Sequence, residues 1–227
     1  MGRAPRVDVG NQIYHVINRA NGRQTIFHKA ADYQHFEELI EEAVERIGMR
    51  VLAYVLMPNH WHLLLYPRED GDVSKFMQWL TLTHTQQYHA KTRTIGYGHL
   101  YQGRYKSFIV ERDSYFLAVL KYIERNPVRG KISKTVEGWR WGSGYRRLDG
   151  TDKERKLIIQ SPVSLPPRYR RWVNTAESPK ELEMIRNSVN KGTPLGTMEW
   201  VRRMVERFEL GLTMRKPGRP QKHGKGT

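Results

Sequence analysis

Two apolar runs with a proline between them constrain this chain most. Arg50 to Leu56 is rich in Val, Leu and Tyr, Met57-Pro58-Asn59 breaks it, and His60 to Tyr66 resumes as HWHLLLY. Proline cannot donate to a strand ladder, so it marks the turn and not a strand interior. Two strands joined by so short a connection should pair antiparallel as a hairpin. A sheet is therefore expected near the centre of the fold.

The flanking segments extend that sheet. Gln12 to Asn18 alternates as a strand and is followed by the turn signal Asn21-Gly22. Ala30 to Ile47 places Tyr33, Phe36, Ile40, Ala43 and Ile47 at helical intervals, and Gly48 closes it. Asp72 can cap a second helix running to about Lys91, with Phe76, Leu80 and Leu82 apolar, and Thr92 to Gly98 is a loop. Tyr105 to Val110 reads as a fourth strand. Asp113 to Arg125 reads as a third helix, with Phe116, Leu117, Leu120 and Ile123 apolar and Asn126-Pro127 ending it. The order strand, helix, strand, strand, helix, strand, helix predicts an α+β fold. Its plan is ferredoxin-like, a four-stranded antiparallel sheet with helices on one face.

After Trp139 and Trp141 the texture changes. Residues 1–148 form the expected main domain, and 149–178, around Leu165-Pro166-Pro167, read as a linker. Residues 179–211 read as a helical C-terminal extension, with helical patterns at Pro179 to Val189 and Thr197 to Leu210. Residues 212–227 read as a basic disordered tail, since Arg215 to Thr227 carries five cations and no acid.

A net charge of +16 on 227 residues implies a polyanionic partner, for which nucleic acid is the first candidate and an anionic membrane surface the second. No basic helix here has the strongly apolar face that membrane binding needs. With no cysteine, disulfides, Cys-based zinc fingers and a Cys nucleophile are excluded. There is no apolar leader at the N-terminus and no run of ~18 apolar residues. The chain is expected to be soluble and cytoplasmic.

His60 and His62 flank Trp61 on a predicted strand. Both imidazoles leave one face while Trp61 enters the other. That spacing lets two neutral imidazoles reach one divalent cation. The plain alternative is a half-buried strand with two histidines on its open face. Tyr122 and Asn126 lie four apart near the end of a predicted helix and share a face. Packed beside the histidines, Asn126 offers an amide oxygen as a third ligand and Tyr122 a hydroxyl; alternatively the tyrosine is core and the asparagine caps its helix. A phenol, with pKa of about 10, is a poor nucleophile at neutral pH. A cation on His60, His62 and Asn126 could stabilise the charge developing at a phosphate while Tyr122 attacks in line. The products would be a phosphotyrosine and a free hydroxyl on the other DNA end. Such a donor set suits Mg²⁺ or Mn²⁺.

These residues resemble a known family. The segments Leu56 to His62 (LMPNHWH), Gly98 to Ser107 (GHLYQGRYKS) and Tyr122 to Val128 (YIERNPV) are similar to the REP-associated tyrosine transposases. That family belongs to the HUH single-strand endonucleases, and the resemblance spans roughly residues 8 to 147. It implies a catalytic domain in residues 1–148, a divalent metal, and single-stranded DNA with REP-like hairpin repeats as partner. By position it makes His60 and His62 the metal pair and Tyr122 the nucleophile. Asn126 falls where related enzymes place a polar third ligand, often Gln. Relatives work as monomers or homodimers, and either state is expected here. Tyr115, two helical turns before Tyr122, is the rival nucleophile, but only Tyr122 has a candidate ligand four residues on.

Tyr101-Gln102-Gly103-Arg104-Tyr105-Lys106 interleaves rings with cations. Tyr101, Gln102, Arg104 and Lys106 are therefore candidate single-strand contacts, unless the segment is a sheet edge with core tyrosines and solvated charges. Asn18 and Arg19, at the end of the first strand, are further candidates. Arg219 sits in Lys216-Pro-Gly-Arg-Pro220, which resembles the core of a minor-groove hook. Two readings compete with a metal-dependent transposase: a hairpin-binding regulator that does not cut, and a replication-initiator or relaxase nickase with the same chemistry.

Overall fold

The computed structural model describes residues 6–96 and 98–214. Strands β1 (Ile13–Arg19), β2 (Arg50–Met57), β3 (His60–Tyr66) and β4 (Lys106–Val110) form one antiparallel sheet in the order β2-β3-β1-β4. Helices α1 (Ala30–Ile47), α2 (Asp72–Thr92) and α3 (Ser114–Glu124) are interleaved with the strands as the sequence order requires. The ferredoxin-like plan is present.

Local chemistry sets the element ends. Gly48 takes a left-handed conformation, φ 71°, and its N–H donates to the Val44 carbonyl, which ends α1. The first turn of α2 is capped from a distance, because the Asp8 carboxylate accepts the Val73 and Ser74 N–H groups at 3.1 and 2.8 Å. Asp72, expected as the cap, is instead the first helical residue. Only Pro58 and Asn59 separate β2 from β3. Their carbonyls accept N–H groups from Ile26, Phe27 and Ala20, which pins the hairpin to the segment leaving β1.

Both faces of the sheet are covered. α1 and α2 pack on one face, over Tyr14, Val16, Tyr54, Leu56, Trp61, Leu63 and Leu65. The expectation of helices on one face holds for this pair, but α3 lies across the opposite face. There Phe116, Val119, Leu120 and Ile123 meet Ile13, Leu52, Val55, Leu64 and Phe108. Two covered faces explain why β2 and β3 are apolar almost throughout and do not simply alternate.

The segments expected as linker and extension carry helices of their own. After α3 come α4 (Asn126–Arg129), α5 (Ser143–Leu148), α6 (Asp152–Arg155), α7 (Tyr169–Asn174), α8 (Pro179–Lys191) and α9 (Met198–Arg207). Residues 149–178 carry α6 and α7 and are anchored by buried Leu157 and Val173. The Ile159 N–H donates to the Val51 carbonyl at 2.9 Å, and the Tyr169 hydroxyl donates to the Glu124 carboxylate at 2.5 Å. The extension is equally bound. Ile185 of α8 enters the α3-side core, and Leu195 pairs with the edge strand β4. The physical reason is area: α3 leaves apolar sheet exposed beside it, and α8 covers it. Leu210–Met214 forms a 3₁₀ turn that includes the first residues of the expected tail. The rest of the tail, with Arg219, lies outside the described residues. Among the described residues no helix is long and apolar enough to cross a membrane.

Candidate active site

The strand register builds the site. Arg19 pairs with His60, Ile17 with His62 and Lys106 with Ile17, so these five side chains stand in adjacent rows on the α3 face. Trp61 points the other way, fully buried against Phe36, and its indole N–H donates to the Tyr101 hydroxyl at 3.1 Å. A β-strand that buries Trp61 therefore delivers His60 and His62 to the opposite surface.

The end of α3 closes over them. Arg125 keeps a helical conformation between α3 and α4, so Tyr122 and Asn126 stay on one face although Pro127 interrupts the backbone ladder. The Asn126 amide lies 3.0 Å from His62 Nε2. The Tyr122 ring stands edge-on to His62 at 5.8 Å between centroids. These residues, with Ile17, Arg19, Arg129, Gly130 and part of α8, line one groove of about 410 Å³. Tyr115 does not line it; it packs partly buried against the α3-side core.

The imidazoles are arranged as neutral donors of lone pairs. Burial pushes His60 down to about 4, helped by the Arg19 cation. Burial, then the neighbouring His15 and His60, holds His62 well below its ordinary value. His60 Nδ1 lies 2.7 Å from Asn59 Oδ1, and the Asn59 amide nitrogen donates to the Arg23 carbonyl. That second bond fixes Oδ1 as the acceptor, so His60 carries its proton on Nδ1 and keeps Nε2 free. Among the described residues no group of three or more His, Cys, Asp or Glu side chains could hold a metal. The Asn126 amide stands beside His62, and its oxygen and nitrogen exchange places on a half-turn.

An ion cluster clamps α4 from behind. Glu177, 3% exposed at its side chain, accepts from Arg125 Nε at 2.8 Å and also from Arg129. Arg129 donates to the Tyr122 carbonyl at 2.8 Å and lies 4.1 Å over the Tyr122 ring. Arg125 in turn donates to the Asn174 carbonyl, so the segment expected as a linker holds the helix end that carries Tyr122 and Asn126.

The expected nucleic-acid contacts divide. Arg19, Gln102, Arg104, Lys106 and Asn18 line a second groove, of about 370 Å³, that shares Ile17, Arg19, Val189 and Asn190 with the first. Gln102, Arg104 and Lys106 are exposed. Tyr101 differs from them: it is buried, and its hydroxyl is engaged by Trp61 and by His84 at 2.6 Å. Arg186 and Asn190 on α8, missed in the sequence, line the groove that holds His60, His62 and Tyr122. His15, also missed, lies fully buried behind His62; its parity with Ile17 and Arg19 on β1 was the available signal.

Comparison with known proteins bears on the fold and on the family. No curated protein matches the chain. A solved REP-associated tyrosine transposase bound to a REP hairpin is 18% identical, with a TM-score of 0.56 over 78% of this chain and 93% of its own. At that identity it supports the α+β fold alone. A crystal structure from Deinococcus radiodurans R1, provisionally named a transposase, is 19% identical over 55% of this chain and 95% of its own, with a TM-score of 0.37, too low to add to the fold. The model of the IS200-like transposases matches residues 8–126, more than half of the 227. The chain belongs to the IS200-like transposase family, whose members are enzymes that act on DNA.

Proposed function

We propose that this protein is a metal-dependent, single-strand DNA endonuclease and strand transferase of the REP-associated type, acting through a covalent bond to Tyr122 on hairpin repeats. The observation that carries this reading is the convergence of His60, His62, Asn126 and Tyr122 on one groove. The hairpin substrate is taken from the solved relative, which is bound to a REP hairpin.

The donor set fits a hard divalent cation. Two neutral imidazoles present Nε2, and an amide can present oxygen beside them. Mg²⁺ or Mn²⁺ held by His60, His62 and Asn126 would supply Lewis-acid stabilisation of charge on a phosphate oxygen. The protein's own groups do the rest. Arg19 and Arg186 flank the groove and can hold the phosphates on either side of the scissile one. Arg129, over the Tyr122 ring and bonded to the Tyr122 carbonyl, holds in place the ring that carries the attacking oxygen. Tyr122 Oη forms the new bond to phosphorus as the bond to the departing sugar oxygen breaks. The phenolic proton is lost to solvent and the departing oxygen gains one. Because a phosphodiester is exchanged for a phosphotyrosine ester, the reverse attack by another DNA hydroxyl can complete strand transfer.

The experiment is a covalent-adduct assay on single-stranded oligonucleotides carrying a hairpin, with Mg²⁺ or Mn²⁺. Wild-type protein should become attached to DNA at Tyr122, located by mass spectrometry. Tyr122→Phe should give no adduct; an adduct formed at the wild-type level by that variant would transfer the role to another residue, with Tyr115 tested next. Normal cutting by His60→Ala would remove the metal from the mechanism.

A further inference from the structure

His62 makes a second contact that the chemistry above does not use. His15 is fully buried, with Nε2 2.8 Å from His62 Nδ1. The two rings are 7° from parallel and 5.0 Å between centroids, so they meet edge to edge through this bond. Phe108 and Tyr122 stand edge-on to His15 at 5.0 and 6.1 Å. The other ring nitrogen of His15, Nδ1, is buried without a hydrogen-bond partner. An apolar residue would fill this place without stranding a polar atom, so the histidine needs a reason.

One hydrogen bond between two neutral imidazoles holds one proton, and there are two ways to place it. If His15 donates from Nε2, His62 must carry its own proton on Nε2, the atom that faces Asn126 and the groove. His62 could then bind no cation without first changing tautomer. If His62 donates from Nδ1, its Nε2 lone pair points into the groove, and the orphaned proton falls on His15 Nδ1. Asn59 enforces the same choice on His60 through an unambiguous acceptor. The second arrangement gives both imidazoles the same tautomer and leaves the His15 Nδ1–H buried without an acceptor.

We propose that His15 is a positioning residue for the metal ligand His62, holding it as the Nδ1–H tautomer and fixing its ring plane. This rests on the reading of His60 and His62 as ligands. Outer-shell partners of this kind tune affinity by about 10–100-fold when removed. The near-coplanar contact adds orientation, because the His62 ring cannot rotate about its own bond without breaking the hydrogen bond to His15.

The test measures binding of Mn²⁺ itself, from the free-ion signal in electron paramagnetic resonance, on the full chain without DNA. His15→Leu removes the acceptor and should weaken Mn²⁺ about 10–100-fold. His15→Gln, whose Oε1 can accept from His62 Nδ1, should recover most of that loss. Long-range ¹H–¹⁵N spectra of the metal-free wild type should show His62 protonated at Nδ1. A His62 protonated at Nε2, or wild-type affinity in His15→Leu, overturns the assignment. If His15→Leu does not fold, the wild-type spectrum and the His15→Gln affinity still decide: Gln binding as weakly as about a tenth of wild type would count against the acceptor role. His60→Ala separates the two layers. If it binds Mn²⁺ like wild type, the metal reading itself fails; if it loses binding while His15→Leu keeps it, only the role of His15 fails.

Discussion

Replacing Glu177 with alanine should test the coupling between the C-terminal segment and the helix end that carries Tyr122 and Asn126. The Glu177 carboxylate bridges two guanidiniums whose side chains are 8% and 16% exposed, those of Arg125 and Arg129. Removing one partner of a buried ion pair leaves an uncompensated charge and costs about 3–5 kcal/mol, although the intact pair is often no better than an apolar substitute. Here two cations lose the anion they share, so a loss within that range is expected. For a chain of 227 residues each kcal/mol lowers Tm by about 2–4 °C, which places the shift at roughly 6–20 °C. The assay is differential scanning calorimetry of Glu177→Ala beside Glu42→Gln. Glu42 meets Arg46 in an i,i+4 pair with both partners about half exposed, and its loss should cost no more than about 0.5 kcal/mol. A second readout follows from Arg129, which touches both the ring and the carbonyl of Tyr122. Assayed where the variant is still folded, adduct formation should slow while half-saturating DNA changes little. A Tm within about 2 °C of wild type would refute the energetic reasoning; a slowed melt-independent step with unchanged Tm would separate positioning from stability.

Acid should expose the buried histidines outside the site. His84 is pushed down to about 3 by burial, so between pH 6.5 and about 3 the unfolded chain takes up a proton there and the folded one does not. Stability is present above that window and falls as pH drops through it, by about 2 kcal/mol at pH 5; His84→Gln, which can keep the bond to Tyr101, should cut the loss from pH 7 to 5 by that amount in urea melts. Equal losses in both proteins would contradict it. Binding of single-stranded DNA should weaken with salt, and Arg19→Gln and Arg186→Gln should each lower the slope of log K against log salt by about 0.7. An unchanged slope would remove that residue from the phosphate path. Gly144→Ala places a methyl 2.2 Å from a Val136 methyl and should destabilise by about 1–3 kcal/mol; an equal or higher Tm would show that Val136 yields freely.

The elements legible in the sequence are those whose signal is local. Met57-Pro58-Asn59 between two strand-like runs specified the hairpin, and the two-residue period put His60 and His62 opposite Trp61 before any partner was known. Gly48 ended α1 for a reason one residue can carry. What was not legible is what depends on docking. Periodicity shows that α3 has an apolar stripe but not which face of the sheet it covers. Residues 149–178 hold their anchors, Leu157 and Val173, singly among prolines and arginines, so no period marks them. Tyr101 sits among cations like a stacking ring, yet its hydroxyl is taken by Trp61 and His84, 40 and 17 residues away. His15 lay on the readable side of this line. Parity alone set it on the face of Ile17 and Arg19, and only the pairing of Ile17 with His62 and Leu64 with His15 was missing. A one-residue slip of β1 against β3 would turn His15 toward α1 and α2 and bring Tyr14 and Val16 beside the histidines. The side chains that prevent this slip are the apolar ones on the far face, Tyr14, Val16 and Trp61. The core packing under α1 and α2 therefore sets the geometry of a site on the opposite surface, to which none of those residues contributes an atom.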